Sequence, residues 1–224
     1  DASPVTLADK TADIVISNYL KERFPNYAFL TEESEDDRSR LDNDFVFIVD
    51  PVDGTKDFIA KDDEFTTNIA LAYKHEIVVG VICVPAKDEL YFASKGSGAF
   101  FLKDGVKTQI FANKKTDNLT CLTSVFHMNK KEEDLIEKHK DKIRYVSKAG
   151  SSLKACYIAS GKAELSYRMS PNTKEWDTAA SEIIISESGA VMVKPDLVKM
   201  TYNRKDVYNR EGYIIANIIE NVLL

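Results

Sequence analysis

The sequence predicts a layered α/β fold of the α+β kind, and three features of its 224 residues carry that expectation. The first half is rich in β segments broken by hairpin-type turns, the second half alternates strand with helix, and neither an internal repeat nor a low-complexity linker interrupts them. The change of texture near residue 119 divides the chain into an N-terminal α+β half, 1-118, and a C-terminal α/β half, 119-224, working as one functional unit.

Each element has its own signal. "SPVTLADKTADIVISNYLKERFP" reads as a helix beginning near Thr6 and stopped by Pro25, with Ile14, Leu20 and Phe24 among polar residues and one face packed on a sheet. "NYAFLTEESEDDRSR" is a short apolar segment that ends in acids and passes into a polar loop. "FVFIVDPVDGTKDFIA" runs five apolar residues, Phe45 to Val49, into Asp50 and Asp53, with a helix start at Gly54-Thr55. "EFTTNIALAYKHEIVVGVICVPAKDELYFASKGSGAFF" reads as an antiparallel meander turning at Lys74-His75, at Pro85 to Asp88 and at Gly96 to Gly98. Asp104-Gly105 adds one more hairpin. Beyond it, "LTCLTSVF", "IRYVS", "AELSYRM" and "YIIANII" read as strands or buried segments. "NKKEEDLIEKHKDK", "SSLKACYIASG" and "EWDTAASEIIISESG" read as helices, the last two closed by Gly161 and Gly189.

Composition narrows the function classes. Hydrophobic residues make up 44% and charged residues 29%, ordinary values for a globular protein. No apolar run reaches the roughly 18 residues of a membrane span, and the start lacks the pattern of a signal peptide. The expectation is a soluble, cytoplasmic protein with at most a loose association with the inner membrane face. A net charge of −6 argues against a nucleic-acid polymer as partner, because such binding needs a basic surface. Cys83, Cys121 and Cys156 lack metal-site spacing and are expected as buried, reduced thiols.

Three acidic sites carry candidate chemistry. Asp50 and Asp53 leave one rigid turn, as half of an oxygen-ligand site for a hard cation such as Mg²⁺ would require, although a D-x-x-D loop can equally just turn the chain. Glu32 and Glu33 of "TEES" also sit at the end of an apolar segment, or form part of a solvated acidic face. Asp177, beside the only tryptophan, Trp176, either joins them or simply answers the dipole of its helix.

Taken together and in this order, "SPVTLAD", "TEES", "DPVDGTKDF" and "WDTAASEIIISESGA" resemble the magnesium-dependent, lithium-sensitive inositol monophosphatase superfamily over nearly the whole chain. Within it, "DPVDGTKDFI", "DEFTTNIAL" and "GSSLKACYIASGKAELSYRMSPNTKEWDTAA" are similar to the bacterial 3'(2'),5'-bisphosphate nucleotidase branch. The resemblance implies an alternating α-β-α-β-α sandwich, with a further helix ahead of "SPVT" that is missing from the sequence in hand. It implies an enzyme that takes the 3'-phosphate from adenosine 3',5'-bisphosphate with two or three Mg²⁺ ions, acting as a monomer or homodimer on this small phosphorylated nucleotide.

By the same resemblance, Glu32, Asp50 and the backbone carbonyl of Val52 hold one ion, while Asp50, Asp53 and Asp177 hold a second. Thr55, bonded to Asp9, orients and deprotonates the attacking water, and Glu32 assists or holds a third ion. Gly54 and Thr55 amides cradle the scissile phosphate, Ser151, Lys154 and Arg168 surround the remaining phosphate, and His127 contacts the substrate. "TSVFH" lacks the arginine that the branch places before His127, and Ala190 stands where many relatives have glycine. Two rivals share parts of this pattern: an inositol- or sugar-phosphate monophosphatase with the same metal site, and a non-catalytic nucleotide-binding relative.

Overall fold

Thr6 begins the ordered account: the computed structural model describes residues 6–224, so the Ser3 to Val5 part of "SPVTLAD" lies outside the described residues. The elements in chain order are α1 (Leu7–Arg23), β1 (Ala28–Thr31), β2 (Phe45–Asp53), α2 (Thr55–Ala60), β3 (Thr66–Tyr73), β4 (Glu76–Val84), β5 (Glu89–Ser94), β6 (Gly98–Lys103) and β7 (Val106–Ile110). There follow β8 (Leu119–Thr123), α3 (Lys130–Lys138), β9 (Ile143–Lys148), α4 (Leu153–Ala159), β10 (Leu165–Arg168), α5 (Glu175–Glu187), β11 (Val191–Val193) and β12 (Tyr213–Ala216).

β1 to β7 form one sheet in sequence order, parallel between β1 and β2 and antiparallel from there on. The expected turns at Lys74-His75, Pro85 to Asp88, Gly96 to Gly98 and Asp104-Gly105 all close hairpins of this meander. The second sheet has the order β11-β12-β10-β8-β9. α1 covers one face of the first sheet, α4 and α5 lie between the two sheets, and α3 packs its Leu135 and Ile136 on the far side of the second. These are the five layers of an alternating α-β-α-β-α sandwich. Among the described residues, no helix is long and apolar enough to cross a membrane.

The larger core is shared by the first sheet and the two central helices. α5 is its pivot, and it is tied at both ends. Glu187 near its C-terminus accepts the amides of Gly96 and Gly98 at 2.8 and 2.7 Å, while Glu175 at its first turn is wholly buried. Below its middle, β4 presents Gly80, where an added Cβ would lie 2.4 Å from Ile183 Cγ2 and 2.7 Å from the Ala180 carbonyl oxygen. Gly80→Ala should therefore push α5 off the sheet and cost about 1–3 kcal/mol, read as a lower denaturant midpoint with an unchanged slope.

α1 corrects one expectation. Ile14 is 58% exposed, and the helix instead turns Asp9, Asp13 and Ser17 toward the protein, a polar stripe at four-residue spacing. Each of these groups has partners inside: Asp9 takes the Thr6 amide and the Thr55 hydroxyl, and Asp13 takes the hydroxyls of Ser17 and Ser34. Burial of a satisfied polar stripe hides the helix's orientation from apolar periodicity. Cys121 and Cys156 are buried free thiols as expected, whereas Cys83 is only half-buried.

Candidate active site

The site grows from the end of β2. In a regular strand residues three apart point to opposite faces, which would separate Asp50 from Asp53. Here β2 pairs Asp50 with Asn68 and Asp53 with Thr66, so three steps on one strand meet two on the other. The extra residue makes a bulge, and Pro51, which has no amide hydrogen for the ladder, falls within it. Both carboxylates thereby face the same end, and α5 brings a third: oxygens of Asp50, Asp53 and Asp177 lie within 4.8 Å of one another. Asp177 also accepts the Lys174 amide at 2.5 Å, so its helix-capping role and its place in the cluster coexist.

These acids strongly perturb one another. Asp50 is 1% exposed and its Oδ1 has no hydrogen-bond partner. Burial first, and then the charges of Asp53, Glu32 and Asp177, push its carboxyl far above the ordinary range. Burial, with Asp53 adding to it, pushes Asp177 up to about 7. Glu32 is raised by burial, against the opposing charge of Lys174 and with the charges of Asp53 and Glu33 adding to the rise. A lone buried carboxylate oxygen among like charges is the signature of a cation-binding set, and an all-carboxylate donor set fits Mg²⁺.

A pH dependence follows. Carboxyls whose folded pKa is raised hold protons that the unfolded chain releases near pH 4, so their contribution to stability is present below that value and is lost as pH rises through about 7. Metal-free protein should melt at falling temperature between pH 5 and pH 8. Mg²⁺ should raise the melting temperature more at pH 8 than at pH 5, because at the lower pH it must displace protons. Scanning calorimetry in EDTA and in Mg²⁺ measures both trends.

Asp53 is held from behind. Its Oδ2 accepts Ser152 Oγ at 2.7 Å, Asn68 Nδ2 at 3.1 Å and Thr66 Oγ1 at 3.3 Å, and none of these bonds uses Oδ1. These three supports were not singled out in the sequence. Thr66 and Asn68 do alternate on β3, directly across the bulge, and that spacing was the available signal. Thr55 sits at the start of α2, its hydroxyl 3.2 Å from Asp9 Oδ1 and 3.3 Å from the Val52 carbonyl oxygen. Gly54, at φ +86°, enters that helix in the left-handed region, and an added Cβ would lie 3.0 Å from the Ser151 side chain.

Glu32, Asp50, Val52, Asp53, Gly54, Thr55, His127, Ser151, Lys154, Arg168 and Asp177 all line one cavity of about 420 Å³, and Asp9 stands behind Thr55. Sites for small molecules commonly enclose about 300–1,000 Å³. Its lining carries both acids and the cations Lys56, Lys154, Arg168 and Lys174. Desolvation lowers the His127 imidazole, and the charges of Lys56, Arg168 and Lys154 lower it further, so these groups share one electropositive region. Lys56 was not expected there as a wall residue.

The cationic groups also organise their own surroundings. Lys154 Nζ donates to the carbonyls of Ala149 and Ser151 at 3.2 and 2.7 Å, stapling the turn before α4 and leaving a third hydrogen for a ligand. Arg168, at the end of β10, donates from Nη1 to the His127 carbonyl at 2.8 Å. Ser151 is less free than its expected role required: its hydroxyl lies 2.6 Å from that of Thr66.

Acids crowded this closely need a cation to hold them, and the Lys56, Lys154 and Arg168 side chains lining the same cavity need an anion. A metal-dependent phosphatase acting on small phosphorylated molecules satisfies both demands. The chain belongs to the inositol monophosphatase family, whose sequence profile matches residues 1–222. It is 35% identical over 217 residues to the 3'(2'),5'-bisphosphate nucleotidase CysQ of Escherichia coli strain K12, a match that covers 96% of this chain and 86% of the relative. It is also similar to the crystal structure of CysQ from Bacteroides thetaiotaomicron, at 36% identity and a TM-score of 0.84, covering 96% of this chain and 85% of that one. The Nus factor SuhB of Pasteurella multocida is 27% identical over 231 residues, covering 98% of this chain and 80% of that protein.

Proposed function

We propose that this chain is a Mg²⁺-dependent 3'(2'),5'-bisphosphate nucleotidase that removes the 3'-phosphate of adenosine 3',5'-bisphosphate to give AMP and phosphate. The observation that carries the reading is the pairing, within one cavity, of the Asp50, Asp53 and Asp177 cluster with the cations Lys56, Lys154 and Arg168, which surround His127. A single phosphate needs only the first; a second phosphate on the same substrate accounts for the rest. The likeness to the two CysQ proteins supports the same choice.

In this reading, Glu32, Asp50 and the Val52 carbonyl would hold one ion and Asp50, Asp53 and Asp177 another. Two or three ions bound there would supply a lowered pKa for water and charge stabilisation at both the attacking and leaving oxygens. The chain's own groups do the rest. Ser152, Asn68 and Thr66 fix one oxygen of Asp53 so that the other stays aimed at the cavity. Thr55 gives its hydrogen to Asp9, which leaves its oxygen as the acceptor that orients the attacking water and passes on its proton, with Glu32 assisting. Gly54 and Thr55 turn the backbone toward the scissile phosphate. Lys154 and Arg168 bind the phosphate that stays, through charge-assisted bonds, with His127 and Ser151 beside them.

An inositol- or sugar-phosphate monophosphatase is the second reading, because the acidic cluster alone recognises only a phosphoryl group, and SuhB-type relatives also match the chain. Phosphate release from adenosine 3',5'-bisphosphate, inositol 1-phosphate and fructose 1,6-bisphosphate, each with and without Mg²⁺, separates the two. The nucleotide should give the highest kcat/KM and require Mg²⁺; faster turnover of inositol 1-phosphate would overturn the assignment.

A further inference from the structure

Glu32 and Asp177 reach the site from distant parts of the chain, and a hydrogen-bonded network with a buried middle joins the two segments that carry them. Four residues after Glu32, Asp36 accepts Arg40 Nε and Nη2 at 3.0 and 2.8 Å, and Arg40 is 1% exposed. Arg40 Nη1 donates to Asn203 Oδ1 at 2.7 Å, and Asn203 Nδ2 donates back to the Arg40 carbonyl at 3.1 Å. The Asn203 amide then donates to Glu175 Oε2 at 2.7 Å, and Glu175 opens α5 two residues before Asp177.

The far end is fastened as firmly. Glu175 Oε1 takes the Arg204 amide at 2.8 Å and Arg204 Nε at 3.1 Å. Arg204 Nη2 donates to Asn209 Oδ1 at 2.8 Å, and Asn209 Nδ2 donates to the Lys174 carbonyl at 2.9 Å, on the residue whose own amide caps Asp177. Every charge is paired, Asp36 with Arg40 and Glu175 with Arg204. Arg40 and Glu175 are buried, while Asp36 and Arg204 keep part of their side chains in solvent. Apolar side chains of similar volume often stabilise as well or better in place of a buried paired charge, so stability alone does not account for burying Arg40 and Glu175.

We propose that the chain Asp36–Arg40–Asn203–Glu175–Arg204–Asn209 is a positioning device that sets the separation between Glu32 and Asp177, and with it the affinity of the site for divalent cations. The inference rests on the metal-site reading above. None of these six residues lines the cavity, so their effect must pass through the two acids.

Asn203 is the joint to cut. Its φ of +55° lies in the left-handed region, so Asn203→Gly keeps the backbone, and its amide bond to Glu175, while deleting both side-chain links to Arg40. Asp36→Asn, at the network's more exposed end, removes a charge without touching the core. Mg²⁺ titration by calorimetry should show each variant binding about 10–100-fold more weakly than the parent, with kcat recovering at saturating Mg²⁺ and the substrate KM unchanged there. Variants that melt earlier but bind Mg²⁺ with the parent's affinity would overturn the proposal, leaving the network a purely structural one. A parent that binds no Mg²⁺ would instead overturn the metal-site reading, and the proposal with it.

Discussion

Asp50→Asn should lower phosphate release on the order of 10³-fold or more while raising the melting temperature of the metal-free protein. The loss follows from its place: Asp50 is the one carboxylate that the proposed ion pair shares, and even residues that merely support metal ligands are worth about 10–100-fold. The gain in stability follows from the same crowding. Asp50 is buried among Asp53, Glu32 and Asp177, each of which disfavours its charge, and asparagine keeps the shape while removing one member of the repelling set. Mg²⁺ should then add much less to the melting temperature of the variant than to that of the parent. Rates within about tenfold of the parent would mean that the shared ligand has been misassigned, since loss of a single supporting residue already costs that much.

Arg168→Met should raise the KM for adenosine 3',5'-bisphosphate by about 10–100-fold, the value of one or two charge-assisted bonds, with a smaller change in kcat. The same variant should treat adenosine 3'-monophosphate almost as the parent does, because that substrate lacks the phosphate that Arg168 is proposed to hold. Arg168 also holds the His127 carbonyl, so a loss shared equally by both substrates would assign it to support of the 124–129 loop instead. Steady-state kinetics on the two nucleotides decides between these outcomes.

Much of this architecture was legible before the structure. Turn pairs such as Lys74-His75 and Asp104-Gly105 punctuate alternating strands, and local turn chemistry is a property of adjacent residues. The long motifs around Asp50 and Asp177 likewise sit within single segments. The features that escaped notice depend on residues distant in sequence. α1 shows its partners a polar stripe whose satisfaction requires Thr55 and Ser34, so apolar spacing placed Ile14 inward by mistake, while Phe24 does pack on Phe47 of the sheet. β11 spans only Val191–Val193, too short for a period to show. The supports of Asp53 come from β3 and from the turn before α4, and Arg40 meets Asn203 across 163 residues. Such partnerships are made by topology, and of the bulge that aims Asp50 and Asp53 the same way the linear pattern shows only Pro51.

If a metal-dependent phosphatase site and a second-phosphate pocket share one cavity, as proposed, only one of the two phosphates on a nucleotide is removed. Incubating adenosine 3',5'-bisphosphate with the protein and Mg²⁺, and identifying the nucleotide product by ³¹P NMR, tests it directly. The expected product is adenosine 5'-monophosphate with one equivalent of phosphate, and no reaction in EDTA. Formation of adenosine 3'-monophosphate, or phosphate release that persists in EDTA, would contradict it.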